Sequence, residues 1–160
     1  MESYRVSASH TREMIYMAES CNPTTVWAPF GTFSQMVVTG TGRMLLLKGQ
    51  VSLDRHGDVV GVGDMNCQLE QVLSNISNLL AAVNGRMSDI LCLNQYTTDV
   101  RMFMACGPIR QRFFQDPYPV TTTVEVLSLY DERLLIEIAA IAEIPIDRST
   151  PAEAAVEMHE

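Results

Sequence analysis

The period of the hydrophobic positions changes along the chain, and each change predicts an element. Phe33 to Thr39 is rich in apolar and β-branched residues and predicts a strand, closed by a Thr39-Gly40-Thr41-Gly42 turn. Arg43 to Val51 (RMLLLKGQV) predicts a second, more buried strand. Asp54 to Asp58 supplies hairpin-turn residues, and Val59 to Val62 a short third strand. Then Met65, Leu69, Val72, Leu73, Ile76, Leu79, Leu80 and Val83 recur at the spacing of one helix face. Asp64 is placed to cap this helix, and Asn84-Gly85 to stop it. The other face is Asn, Gln, Ser and Glu, so the helix is expected to lie on a sheet.

Ser88 to Thr97 returns to a strand pattern. A second helix is predicted from about Asp99 to Phe114, with Phe103, Ile109, Phe113 and Phe114 inward. Pro108 in its middle lacks an N–H and crowds the carbonyl of Met104, which predicts a kink or a restart there. Val120 to Leu129 and Leu134 to Ala142 are the closing strands. The order β-β-β-α-β-α-β-β is α+β: one mostly antiparallel sheet with two helices on one face. Val37, Leu45, Leu47, Val124, Val126, Ile136 and Ile138 are expected to line the other face, which predicts self-association.

Composition narrows the functional classes. The chain has 160 residues, enough for one domain with a real core, and a formal charge of −8. That balance argues against phosphate-backbone binding, which needs clustered Lys and Arg. From Glu143 onward the chain carries Glu143, Asp147, Glu153, Glu157 and Glu160 against Arg148 alone, so the acidity concentrates at the C-terminal end. Residues 1–28 are expected to be an irregular N-terminal extension, 29–145 the folded domain and 146–160 a solvated acidic tail. Met1 to Ser20 has no continuous apolar stretch of the secretory kind, and no apolar run approaches membrane length. Cys21, Cys67, Cys92 and Cys106 form no CxxC and are expected to be reduced, mostly buried thiols of a cytoplasmic protein. His10, His56 and His159 are too scattered for a local metal site, so neither metal nor cofactor is expected.

Several short segments resemble one family in order. Gly31-Thr32-Phe33-Ser34-Gln35 resembles the G-P-Y-S-Q signature of the Rid (YjgF, reactive intermediate deaminase) family. Leu47-Lys48-Gly49-Gln50-Val51 resembles its L-S-G-Q-I strand, and Gln68 to Leu80 its Q-x-x-x-V-L-x-N helix. Tyr96-Thr97-Thr98-Asp99, Thr123-Val124-Glu125-Val126 and Ile136 to Ala142 resemble Y-L-T-D, T-V-E-V and V-E-I-E-A-I-A. The resemblance implies a chorismate-mutase-like α+β subunit and a homotrimer with small-molecule clefts between subunits. It also implies hydrolysis of enamines and imines to carbonyl compounds and ammonia. Endoribonuclease activity, also attached to this family, fits poorly with an acidic chain.

The departures matter as much. By the same resemblance, Thr121 stands where the family places a carboxylate-binding arginine, and Phe33 replaces the signature tyrosine. Gly107 replaces a cleft asparagine, and Ala139 the acid of the final strand. A hydroxyl replaces a guanidinium poorly, so a general 2-imino-acid deaminase is not expected. A cleft lined by Phe33, Gly107, Thr121, Thr123 and Ala139 is roomier and suits a larger, less charged ligand.

Lys48, the sole lysine, stands beside Gly49, whose backbone is expected to face the ligand. It is either a relocated cation or a strand lysine reaching solvent, the commoner role. Glu125 and Glu137 are the acids of the closing strands, each a candidate general base or a structural carboxylate. Cys106 reads as a buried thiol. Trp27 and Phe30 are candidates for an apolar lid. Two functions stay open: a specialised hydrolase or deaminase for a labile enamine- or imine-type intermediate, and a non-catalytic trimer that holds a metabolite or a partner enzyme.

Overall fold

The computed structural model describes residues 16–149. Strands β1 (Glu19–Cys21) and β2 (Met36–Val38) pair antiparallel as a small ribbon. Strands β3 (Arg43–Val51), β4 (Ile90–Thr97), β5 (Val120–Glu125) and β6 (Ile136–Ile144) form the main sheet in the order β3-β6-β4-β5. The β3/β6 and β6/β4 pairs are antiparallel and β4/β5 is parallel. Helices α1 (Met65–Ala81), α2 (Val100–Ala105) and α3 (Gly107–Phe113) complete the mixed α+β fold.

Helix α1 carries most of the predicted apolar stripe: Met65, Leu69, Val72, Leu73, Ile76 and Leu80 are buried, whereas Leu79 is exposed and Val83 lies beyond the helix end. Each Leu or Ile buried in this way stabilises the fold by ~1.5–3 kcal/mol. The Asp64 carboxylate accepts from the N–H groups of Asn66 and Cys67 at 2.9 and 3.1 Å. At the other end Asn84 takes φ +60°, and the Gly85 N–H donates back to the Leu80 carbonyl at 2.8 Å. The proline break is also present: α2 ends at Ala105 and α3 restarts with Pro108 in its first turn. The short α2 is opened by the Asp99 side chain, which accepts from Met102 N–H.

Several expectations are corrected. The N-terminal extension is not irregular throughout, because β1 lies inside it; residues 1–15 fall outside the described residues. The strand expected from Phe33 is shorter, because Ser34 N–H turns aside to the Pro119 carbonyl at 3.0 Å. Val59 to Val62 is no strand. It makes one bridge, Leu53 to Val59, before Gly61 and Gly63 adopt positive φ and lead the chain into the Asp64 cap. The strand from Val120 stops at Glu125, level with the last residue of its partner β4.

The faces of the sheet are the largest correction. Register puts Leu47, Ala140, Leu93 and Thr121 in one row, and Ile138, Gln95 and Thr123 in another. Ile136, Ile138, Ala140, Ala142 and Leu93 belong to the core cluster with α1, and Leu45 and Leu47 pack against it. These rows therefore face the helices, not away from them. The opposite face carries Met44, Leu46, Tyr96 and Val124, all exposed, with Leu46 80% exposed. The C-terminal end is also corrected in part. Glu143 is buried on β6, and its two oxygens accept from Gly40 and Gly42 N–H at 2.9 and 2.7 Å. Arg148 pairs with buried Asp89 and donates to the Asn84 carbonyl, so the first tail residues are tied to the body. Residues 150–160 lie outside the described residues.

Candidate functional site

The proposed site residues fall into two groups on one sheet. Thr121, Thr123 and Glu125 alternate along β5 on the helix side, and Gly107 opens α3, whose Arg110 lines a recess with Thr121. A Cβ added at Gly107 meets nothing within 4 Å, so the space beside it is open. The Glu125 carboxylate accepts the Val100 N–H at 2.7 Å, which occupies one oxygen at the start of α2.

The second group lies on β3 and β6. The register shifts between Leu47 and Gln50, so Lys48 and Gly49 bulge opposite Ala139. A Cβ at Gly49 would run into the Glu137 carboxylate, which explains why glycine fits there. Lys48 is exposed, and its Nζ donates to the neighbouring Gly49 carbonyl at 3.2 Å. Among the described residues no ion pair joins Lys48 to an acid. Strand β4 separates β6 from β5, so the two groups stand about 10 Å apart across the sheet. Glu137 shares a row with Tyr96 and Val124, while Glu125 shares one with Thr97 and Ile136. The two acids thus point to opposite faces and cannot serve one site within a single chain.

A third feature is aromatic. Trp27 and Phe30 stack, and Phe33 packs edge-on against both, with ring centroids 5.3 to 5.8 Å apart. Phe30 remains 80% exposed and Trp27 59%. Thr32, next to Phe33 in the chain, lines the same recess as Thr121.

That recess holds residues that periodicity did not single out. It is about 10 Å³ in volume and is lined by Thr32, Gln95, Arg110, Phe114 and Thr121 with apolar residues of α1 and the sheet. Arg110 lies one helical turn beyond Gly107. Burial pulls its pKa below the ordinary arginine value, and only the neighbouring Cys106 sulfur opposes this. Cys106 is buried and its Sγ contacts the Met102 carbonyl; burial raises its pKa. It is no activated nucleophile. The other three thiols are free and half-buried rather than buried. Among the described residues no cluster of His, Cys, Asp or Glu is placed to hold a metal ion, and no helix is long and apolar enough to cross a membrane.

The model of the Endoribonuclease L-PSP family matches residues 24–144. The chain belongs to the YjgF/RidA/RutC family. It is 33% identical over 113 residues to a RutC family protein of Sulfurisphaera tokodaii, covering 71% of this chain and 88% of that one. It is 28% identical over 116 residues to the 2-iminobutanoate/2-iminopropanoate deaminase of Dermatophagoides farinae, covering 72% and 88%. A solved Rid family protein from Yersinia pestis, YyfB, superposes with a TM-score of 0.73 at 29% identity. That match covers 81% of this chain and all of that one.

Placed in the Rid fold, most of the shared motif residues hold structure. Gln68, fully buried on α1, donates to the Gly61 and Arg133 carbonyls and accepts from Leu135 N–H at 2.8 Å. Asn75 donates to the Val51 and Leu53 carbonyls. Thr97 ties the end of β4 to Leu135 and Asp99. These polar side chains fasten loops to the core.

Proposed function

We propose that this Rid protein is a specialised hydrolytic deaminase for enamine- or imine-type intermediates, working as a homotrimer. Its clefts form where the β5 edge of one copy meets the Gly49 bulge of the next. The observation that carries this reading is the separation of the two residue groups on a sheet whose outer face is apolar and exposed. Covering Met44, Leu46, Tyr96 and Val124 with a second copy removes that face from water and completes the cleft. Deaminase-named relatives support the reaction class at the level of the family.

The chemistry needs few groups. Water adds to the C=N carbon, a base takes its proton, and the nitrogen is protonated. The resulting carbinolamine then loses ammonia to leave a carbonyl. Glu137 is the base, since Glu125 is already engaged by the Val100 N–H. The hydroxyls of Thr121 and Thr123 and the Gly49 backbone hold the substrate. Open space at Gly107, the small Ala139 and the ring of Phe33 favour a substrate larger than the simplest 2-imino acids.

Assays with enzymatically generated imines of increasing size, scoring ammonia release over the buffer rate, test this. Turnover is expected for larger substrates, slow turnover for 2-iminopropanoate, and a loss of about 10²–10⁴ in Glu137→Gln. No acceleration with any substrate sinks the catalytic reading. The competing reading, a trimer that binds a metabolite without catalysis, is favoured by the unreactive side chains at Gly107 and Ala139. Tight binding without turnover would establish it, and a monomer in light scattering would end both.

A further inference from the structure

The recess behind Thr121 contains the one buried side-chain polar atom that, among the described residues, has nothing to bond. Arg110 Nε is shut off from solvent and donates to no acceptor. Its guanidinium lies over the Phe103 ring, 4.8 Å from the centroid, and among the described residues it makes no ion pair. Arg112, Arg133 and Arg148 all have carboxylate partners. Gln95 is 3% exposed and faces the same recess. A buried donor of a cation left without a partner is unfavourable. An anion accepting from the guanidinium relieves it, and the Gln95 amide on the same recess wall can add a donor.

We infer that Arg110 is the carboxylate anchor of the ligand, reaching from α3 into the recess that Thr121 and Gln95 line. Gly107, one turn earlier on the helix, leaves the approach open. The recess of about 10 Å³ has room for about one water-sized atom, so one carboxylate oxygen enters it and the rest of the ligand lies outside. Thr32 belongs to the recess wall and precedes Phe33, whose ring packs with those of Trp27 and Phe30. The ligand is therefore an acid with an apolar or aromatic body. The charge that the Thr121 position lacks is thus supplied from the helix. The inference rests on the reading of this edge as half of a substrate cleft.

The test uses phenylpyruvate and the uncharged phenylacetone as probes on the full chain. Calorimetry should show phenylpyruvate binding at least 10-fold more tightly than phenylacetone. In ¹⁵N-labelled protein the Arg110 Nε–H resonance should move on titration with phenylpyruvate. Arg110→Gln should weaken phenylpyruvate binding at least 10-fold and leave phenylacetone unchanged. Arg110→Lys should fall between, because it keeps the charge and loses the paired donors. No binding of phenylpyruvate, equal binding of both probes, or equal affinity in Arg110→Gln overturns the inference. If Arg110→Gln fails to fold, the resonance in the unaltered protein decides. Carboxylate binding at Arg110 with no deamination refutes the catalytic proposal and keeps the anchor. Deamination undiminished in Arg110→Gln does the reverse.

Discussion

Gln68 and Arg110 are both polar side chains set among apolar residues on helices over one sheet, and they are treated in opposite ways. Gln68 is fully buried with its amide engaged on both sides, by the Gly61 and Arg133 carbonyls and the Leu135 N–H. Arg110 is half-buried with its Nε unpaired. A buried group whose bonds are all met holds the fold, whereas one whose bonds are open costs stability until something arrives. The α1 side of the molecule is thus built for permanence and the α3 side for an occupant.

Substitutions can break this contrast in order of effect. Gln68→Leu leaves the Leu135 N–H and two carbonyls unmet and should cost about 3 kcal/mol in urea unfolding. Glu143→Ala strips two backbone N–H groups of a charged acceptor and should cost about 2 kcal/mol. Asp64→Ala removes the α1 cap and should cost about 1 kcal/mol. Arg110→Met should lie within about 1 kcal/mol of the unaltered chain, toward greater stability, because an unpaired cation is replaced by an apolar side chain of similar length. A loss at Arg110 comparable to that at Gln68 would erase the distinction.

The α1 stripe, the Asp64 cap, the Asn84-Gly85 stop and the break at Pro108 were legible in the sequence, because each is a local rule with a local cause. The facing of the sheet was not. Arg43 to Val51 carries apolar residues at both parities, Met44 and Leu46 as well as Leu45 and Leu47, so alternation alone does not say which set is inside. On β6 the alternation of Ile136 and Ile138 with Glu137 and Ala139 did hold the answer. The motif residues at the bulge and on β5 were legible through their resemblance to the Rid pattern. Arg110 was missed because it sits in Arg110-Gln111-Arg112, a polar stretch that helical periodicity assigns to solvent. Only the placement of α3 against Phe103 turns it inward.

The aromatic corner has one more consequence. Trp27 is the only indole in the chain, and it touches Phe30 and Phe33 rather than the core. Its emission therefore gauges this corner alone, while far-ultraviolet dichroism gauges the helices and main sheet. The corner rests on a two-stranded ribbon and a few threads to the segment before β5, such as Ser20 Oγ to the Tyr118 carbonyl at 3.0 Å. On heating, the optical signal of Trp27 should change at a lower temperature than the dichroism, and an acid lodged at the recess should draw the two midpoints together.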